Sequence, residues 1–516
     1  MQKPIAWPHI QAKKIMKNIL ILFMICITVS SQANIILKGT GRGSVSVTSM
    51  KGIKPGDTIG IRAGTYPGGG QFSGLNNVTI INYAGVVTFT APVDFGAQGI
   101  AMSNITWSGT GSNGNEYGFV FDATGSYGIG LVGYTTNGGF IFTAQHYTQI
   151  RFNHIWFKNI GGNAFDLSAN LPIYDGSIAS LGIYKATFSY CRTDNTVEFY
   201  QGPYKAPNFG FADSIDISNN VFNQTSGNGL TVNSEMTNFN IHHNQILYSG
   251  YNAQPNDIGV FSLTGYGQIH HNYMKGGRGW LARISGCSFK PSVNTFFGYN
   301  NIKLGTTTYG MFDLRTDTTW FAATSNFFQH CNFEVANNTF GNLTANDGNG
   351  KGTGNRYNTP VALFYTMNGG ATALVKNNLG FNSIPGNAGG YVCVSFAPEF
   401  FSTIDTSNNK YYTASAILDV LSDTNANCAV KPGADIKGIG AGFPYSITDN
   451  TGKIRTDPPV ISAELLAARV SQTTNNNSLP TKIFNHKKLF FSLLALLIFL
   501  LVLLMRSRKF VRSKSG

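Results

Sequence analysis

The tetrapeptide Ile-His-His-Asn occurs twice, at Ile241–Asn244 and again at Ile269–Asn272. Imidazoles are the usual side chains for a general base near neutral pH, so these two phrases are the first place to look for chemistry. Partners are scarce, because only 12% of the 516 residues carry charge. Those near the histidines are Lys275, Arg278, Arg283, Asp313 and Arg315, with Glu198 upstream and the flat rings of Tyr273, Trp280 and Trp320 interleaved. Such a set offers bases (His242, His270, Lys275), cations that could neutralise an anion (Arg283, Arg315) and ring faces on which a sugar could stack.

The elements that must position these groups are repeats. The phrases "SIDISNNVF", "NFNIHHNQI", "GQIHHNYM", "FEVANNTF", "ALVKNNLGF" and "TIDTSNNKYY" share one pattern, with earlier versions at "LNNVTII" and "MSNITWS". Their last asparagines are Asn77, Asn104, Asn220, Asn244, Asn272, Asn338, Asn378 and Asn409, with Asn301 supplied by "GYNNIK". The period is variable, residues alternate apolar and polar over short runs, and helical periodicity is absent from the body. That combination predicts short strands stacked into a solenoid. Coils would repeat at roughly 4.8 Å, with one asparagine corner per coil.

In this frame Ile241 and Ile269 align with the inward residues Ile217, Val335 and Val375. His243 and His271 then take a corner place held elsewhere by asparagine, a structural role. His242 and His270 stand outward one coil apart, near enough to act on one ligand. The same alternation predicts Glu198, Arg283, Asp313 and Arg315 outward on successive coils, beside Lys275 and Arg278 in the preceding turn. A plain ladder of surface ion pairs would look the same and would mean little for stability or function.

The ends read differently from the body. Residues 1–33 contain the apolar run Ile19 to Val29 followed by Ser31-Gln32-Ala33, the layout of a secretory signal cut after Ala33, with Met16 as an alternative start and Cys26 lost with the signal. Leu489 to Met505 is uncharged and flanked by Lys487-Lys488 and by Arg506, Arg508, Lys509, Arg512 and Lys514. It reads as a single membrane span with a cytoplasmic tail, or as a sorting tail of the same layout that is removed after export. The expected organisation is a signal peptide (1–33), a body (34–465), a linker (466–486) and an anchor (487–516). The net charge of +13 belongs to the ends: residues 1–33 and 481–516 hold 12 basic groups and no acid, leaving 25 basic and 24 acidic groups between them. A nucleic-acid partner is thereby excluded as the reason for the high pI. The five body cysteines, Cys191, Cys287, Cys331, Cys393 and Cys428, have no C-x-x-C spacing; their odd count permits at most two bridges, and buried free thiols are the favoured reading.

With "GIKPGDTIGIRAGTY" near the start and "DNTGKIRTDPPVISAEL" near the end, the body resembles the right-handed parallel β-helix proteins of the pectate-lyase-like superfamily. In the second stretch Asp449, Gly452, Arg455, Ala463 and Glu464 match the closing segment of many members, although Ser462 stands where glycine is usual. The resemblance implies an all-β solenoid of roughly ten coils, with a Pro-Gly-Asp turn before the first coil. It also implies a polysaccharide partner, acidic in most members. Cleavage of a uronate by β-elimination would place His270, Arg283, Arg315, His242 and Lys275 in catalysis, and Glu198, Arg278, Trp280, Asp313 and Tyr273 in substrate binding. For hydrolysis, Glu198 with Asp313 is the one carboxylate pair to propose, and many coils separate them. No acidic run has calcium-loop spacing, so calcium lacks support in the sequence and the cofactor is unassigned. The competing expectation is a non-catalytic polysaccharide-binding or structural cell-envelope protein, since asparagine, serine, threonine and tyrosine dominate the outward places. Either protein would sit at the inner membrane with its body on the periplasmic or extracellular side, or at the cell surface if the tail is removed.

Overall fold

Apolar residues at every second place give each short segment one face to bury, and the segments bury it by stacking in parallel on the segment one repeat away. The computed structural model describes residues 34–421 apart from 113, 124–138, 145, 168–176, 203–210, 224–231, 250–258, 279, 287–292, 299, 308–311, 317–330, 343, 346–360, 367–370, 383–392 and 396–400. All of these lie in the first of two compact units, which ends at Glu464. The signal-like and anchor-like segments and the closing segment lie outside the described residues. Among those described, no helix is long and apolar enough to cross a membrane, and the one α-helix is the single turn Ile417–Val420.

Three columns of parallel strands make the solenoid. The first runs without a break from Ile35–Lys38 through Thr58–Tyr66, Asn76–Phe89, Ala101–Ser108, His146–Asn153, Ile183–Ser189, Ala212–Ser218, Val232–His242, Gly259–His270, Val293–Gly298, Cys331–Ala336 and Ala371–Lys376 to Phe401–Asp405. Thirteen strands stack here, where the repeated phrases predict about ten coils. The early coils are glycine-rich and lack the asparagine phrase. The Pro55-Gly56-Asp57 turn is also not the start: Ile35–Lys38 already pairs with the strand that follows it. A second column follows the asparagine corner, as in Gln245–Ser249, Tyr273–Arg278 and Asn301–Thr307. The third joins Trp280–Gly286 to Phe312–Thr316 and to the leading halves of Val232–His242 and Gly259–His270. Those two long strands serve two columns because they bend midway, at the register shift between Thr237 and Phe239 and at Gly265. Gly265 has φ +127, and a Cβ there would sit 1.9 Å from the Met236 carbonyl oxygen.

Most of the buried apolar side chains among the described residues join one core that runs from Val45 to Val375. Ile217, Ile241, Ile269, Phe297, Val335 and Val375 form an inward row, each at most 1% exposed. Beside it, Asn220, Asn244, Asn272, Asn300, Asn338, Asn378 and Asn409 form an amide ladder. In each step the Nδ2 and the backbone N–H of one asparagine donate to the Oδ1 of the next, at 2.9–3.0 Å. The member in "GYNNIK" is thus Asn300, and the expected Asn301 instead opens the next strand. Asn77 and Asn104 belong elsewhere. Both are exposed, with φ +52 and +50, in a column of left-handed residues that continues through Gln149, Lys185, Ser214 and Asn238.

Candidate functional site

Each strand of the first column ends at the corner just before its ladder asparagine, and that corner fixes the paired histidines. His243 and His271 both have φ +56, in one column with His154, Tyr190, Asn219, Asn337, Asn377 and Asn408 at φ between +54 and +60. Asparagine tolerates the left-handed region because its short amide can bond locally. The second histidine of each pair is therefore a corner residue in the place of asparagine, as the alignment predicts. The first histidine of each pair lies one residue earlier, in a row that runs Asn153, Ser189, Ser218, His242, His270, Gly298.

His242 and His270 stack face to face, 5.0 Å between centroids and 4° from parallel, and His243 and His271 do the same at 5.1 Å. The Nδ1 atoms of each pair meet at 2.7 Å. His242 Nε2 lies 3.0 Å from Asp216 Oδ2, and the neighbouring row supplies the rest: Asn240 Nδ2 donates to Asp216 Oδ2 and Ser218 Oγ to Asp216 Oδ1. His270 Nε2 stands 2.9 Å from Asn240 Oδ1. The network assigns the tautomers of the neutral rings. Both Nε2 atoms must donate to oxygens, so both Nδ1 atoms accept from His243 and His271. Hydrogen bonds thus converge on Asp216 from its own coil and from the next.

The electrostatics follow from this arrangement. Burial alone would raise the Asp216 carboxyl, but the bonds from His242, Ser218 and Asn240 outweigh it and hold the pKa below the usual aspartate value. Burial, reinforced by the neighbouring His242 and His243, pushes His270 down to about 3. The result is a carboxylate-oriented imidazole, His242, stacked on a ring that stays neutral across the physiological range. Among the described residues, no group of three His, Cys, Asp or Glu side chains could hold a metal ion.

Around the dyad the sheet presents two polar rows. One is the serine and histidine row. The other runs Thr106, Arg151, Thr187, Asp216, Asn240, Gln268. Arg151 is exposed and stands two strands from Asp216, roughly 9.6 Å at the usual spacing.

The remaining expected site residues fall elsewhere. Lys275 and Tyr273 lie past the Asn272 corner on the second column, where Lys275 is registered between Leu247 and Lys303. Arg283 is registered between Ser262 and Asp313 on the third column, and Arg315 pairs with Ser285. Arg283 therefore lies within a coil of His270 and Arg315 one coil further, neither in the column of the histidines, whereas the sequence frame puts them on one surface. Arg278 and Trp280 lie on the second and third columns by backbone. The side chains of Arg278, Trp280, Arg283, Asp313 and Arg315, and all of Trp320, lie outside the described residues. Glu198 is a correction: it is fully buried, not outward. The left-handed residue Asn195, φ +56, turns the strand just before it and resets the alternation on which the outward prediction rests. Asp216, Asn240 and Arg151 are the members that the motif search misses. Stepping from the asparagine ladder finds the first two, since Asp216 stands four residues before Asn220 just as Asn240 stands four before Asn244, whereas the coil of Arg151 has no ladder asparagine.

The chain matches no family model and no curated protein. Among solved structures it is similar to the A-module of the mannuronan C-5 epimerase AlgE6 of Azotobacter vinelandii, at 11% identity and a TM-score of 0.29, over 69% of this chain and 90% of that one. A likeness of this degree assigns no function.

Proposed function

We propose that the solenoid engages an acidic polysaccharide along the two polar rows of its first column and cleaves it by β-elimination, with His242 as base. The observation that carries this reading is the Asp216–His242 pair, set among hydroxyl and amide side chains that repeat at coil spacing. A carboxylate on Nε2–H orients the imidazole and stabilises the imidazolium that forms when Nδ1 takes a proton. The substrate C5 proton would replace the His243 N–H at Nδ1, Arg151 would neutralise a uronate carboxylate along the row, and the C4–O4 bond would break as C4=C5 forms, the leaving oxygen taking its proton from solvent water. The test is absorbance of the unsaturated product over a panel of uronate polymers. Wild type should form product, with Asp216→Asn and His242→Gln reduced by about two orders of magnitude or more.

Non-catalytic binding is the second reading, and one observation favours it: both ring nitrogens of His242 and of His270 are already engaged. In that case the panel stays silent, while migration through polysaccharide-laced gels is retarded and Arg151→Ala abolishes the retardation. A protein that neither forms product nor is retarded would overturn both readings. We further propose, from the basic flanks of Leu489 to Met505, that this segment anchors an exported body. Deleting residues 482–516 should release the protein from membranes. A truncated form that still pelleted after a high-salt wash would refute the anchor.

A further inference from the structure

We propose that Asn163 and Glu198, with Asp166 and Gln201 beside them, form a buried site for a divalent, oxygen-seeking cation of the calcium class that clips two neighbouring coils together. The four residues sit on adjacent strands, Ile155–Asp166 and Arg192–Gln201, in register: Asn163 opposite Glu198 and Asp166 opposite Gln201. Asn163 is the hub. Its Nδ2 donates to Asp166 Oδ2 at 3.3 Å and to Gln201 Oε1. Its Oδ1 is buried and accepts nothing, and both carboxyl oxygens of Glu198 are likewise buried without a partner. Glu198 is 0% exposed.

Three acceptor oxygens without a donor, two of them on one carboxylate, leave a large desolvation cost uncompensated. Protonating Glu198 cures it only in part: the new O–H has Asn163 Oδ1 as an acceptor, but the remaining carbonyl oxygen still needs a donor. The second carboxylate worsens the balance: burial and then the Asp166 charge push Glu198 up to about 8. A divalent cation would satisfy the three orphaned oxygens and neutralise both carboxylates in one step. Two carboxylates and amide oxygens, with no histidine or thiolate among them, select a hard ion. Calcium accepts six to eight oxygens in irregular geometry, the balance coming from main-chain oxygen or water. Placed where the second column bends into the third, the ion would hold that bend. It lies apart from the Asp216–His242 pair and owes nothing to the polysaccharide reading.

The test uses the full chain, stripped with EDTA and titrated with calcium chloride and, separately, magnesium chloride, read by calorimetry and by the thermal midpoint. Calcium should bind and raise the midpoint by several degrees at about 100 times its Kd. Glu198→Gln should abolish the calcium response. Asn163→Asp, which adds a third carboxylate, should tighten calcium binding about tenfold or more and make the protein depend on it. His242→Gln should leave the calcium response unchanged. Indifference of the wild-type chain to EDTA and calcium would overturn the site. So would an Asn163→Asp protein that is destabilised and regains nothing with calcium. Should Glu198→Gln fail to fold, the Asn163→Asp titration decides alone.

Discussion

Replacing Asn272 by alanine tests whether the amide ladder holds the coils together. The side chain makes four hydrogen bonds. Its Nδ2 donates to the Asn300 Oδ1 and to the Ile241 carbonyl, and its Oδ1 accepts the Asn244 backbone N–H and Asn244 Nδ2, all at 3.0 Å. Asn244, Asn272 and Asn300 are at most 1% exposed, so water does not replace what is lost. The Asn244 N–H is orphaned outright at about 1–3 kcal/mol, whereas Asn244 Nδ2 keeps the Ile217 carbonyl and Asn300 Oδ1 keeps the Asn272 backbone N–H; with the weakened bonds added, the expected loss is about 3 kcal/mol. Urea unfolding followed by far-ultraviolet circular dichroism should show the midpoint shift. Asn409→Ala is the internal control, because that asparagine lies at the ladder's exposed end and donates also to Thr406 within its own turn. Its loss should be less than half as large. An Asn272→Ala protein within about 0.5 kcal/mol of wild type, the range of an ordinary surface change, would refute the ladder as a stabilising element.

The corner assignment of His243 predicts that His243→Asn keeps stability to within about 0.5 kcal/mol. His243→Val, forced to φ +56, should lose about 1–2 kcal/mol or more in the same assay. His270 has its pKa depressed from 6.5 to about 3, so on acidification the unfolded chain takes up a proton that the folded chain refuses. Stability should therefore fall as pH drops from about 6.5 toward 3, and His270→Asn should flatten that part of a urea-midpoint profile. Burial raises Glu235 from 4.5 to about 8, so the folded chain holds a proton that the unfolded chain releases, and stability falls as pH rises across that interval. Glu235→Gln should remove this decline, and an unchanged slope between pH 5 and about 8 would contradict the burial of its carboxyl.

Much of the corner was legible because it is built from residue types with few substitutes. The buried ladder place is asparagine at every step from Asn220 to Asn409, the left-handed place before it is asparagine at Asn219, Asn337, Asn377 and Asn408, and the repeated double asparagine exposes both. Histidine could be recognised as a stand-in at the first place because the second, Asn244 or Asn272, follows at once. The misassignment at "GYNNIK" arose from counting the last asparagine, although three residues separate the inward residue from the ladder in every unit from Ile217–Asn220 to Val375–Asn378. At "LNNVTII" and "MSNITWS" the apolar residues come after the asparagine, the mark of a different bend. Glu198 was illegible to alternation because Asn195 breaks the parity of its strand. Arg283 was misjudged for a related reason. Sequence distance places it within a coil of His270, but Arg283 pairs with Ser262 in the leading half of Gly259–His270, on the other side of the Gly265 bend, and such bends decide which column a residue joins.

The amide ladder has a direction. It opens with the backbone N–H of Cys191 donating to Asn220 Oδ1, and thereafter every step is donated toward the C-terminus. A turn of the solenoid is therefore unfinished until its successor arrives: two donors of the newest asparagine stay unsatisfied until the next one presents its carbonyl oxygen. For a chain that emerges N-terminus first, assembly is then a ratchet. Each threaded turn closes the one before it and opens a single fresh docking edge. A chain arrested between turns would carry that edge uncovered, with its row of main-chain groups ready to template another strand; at Asn409, the last ladder step among the described residues, the amide instead spends its donors on Val375 and on Thr406 of its own turn.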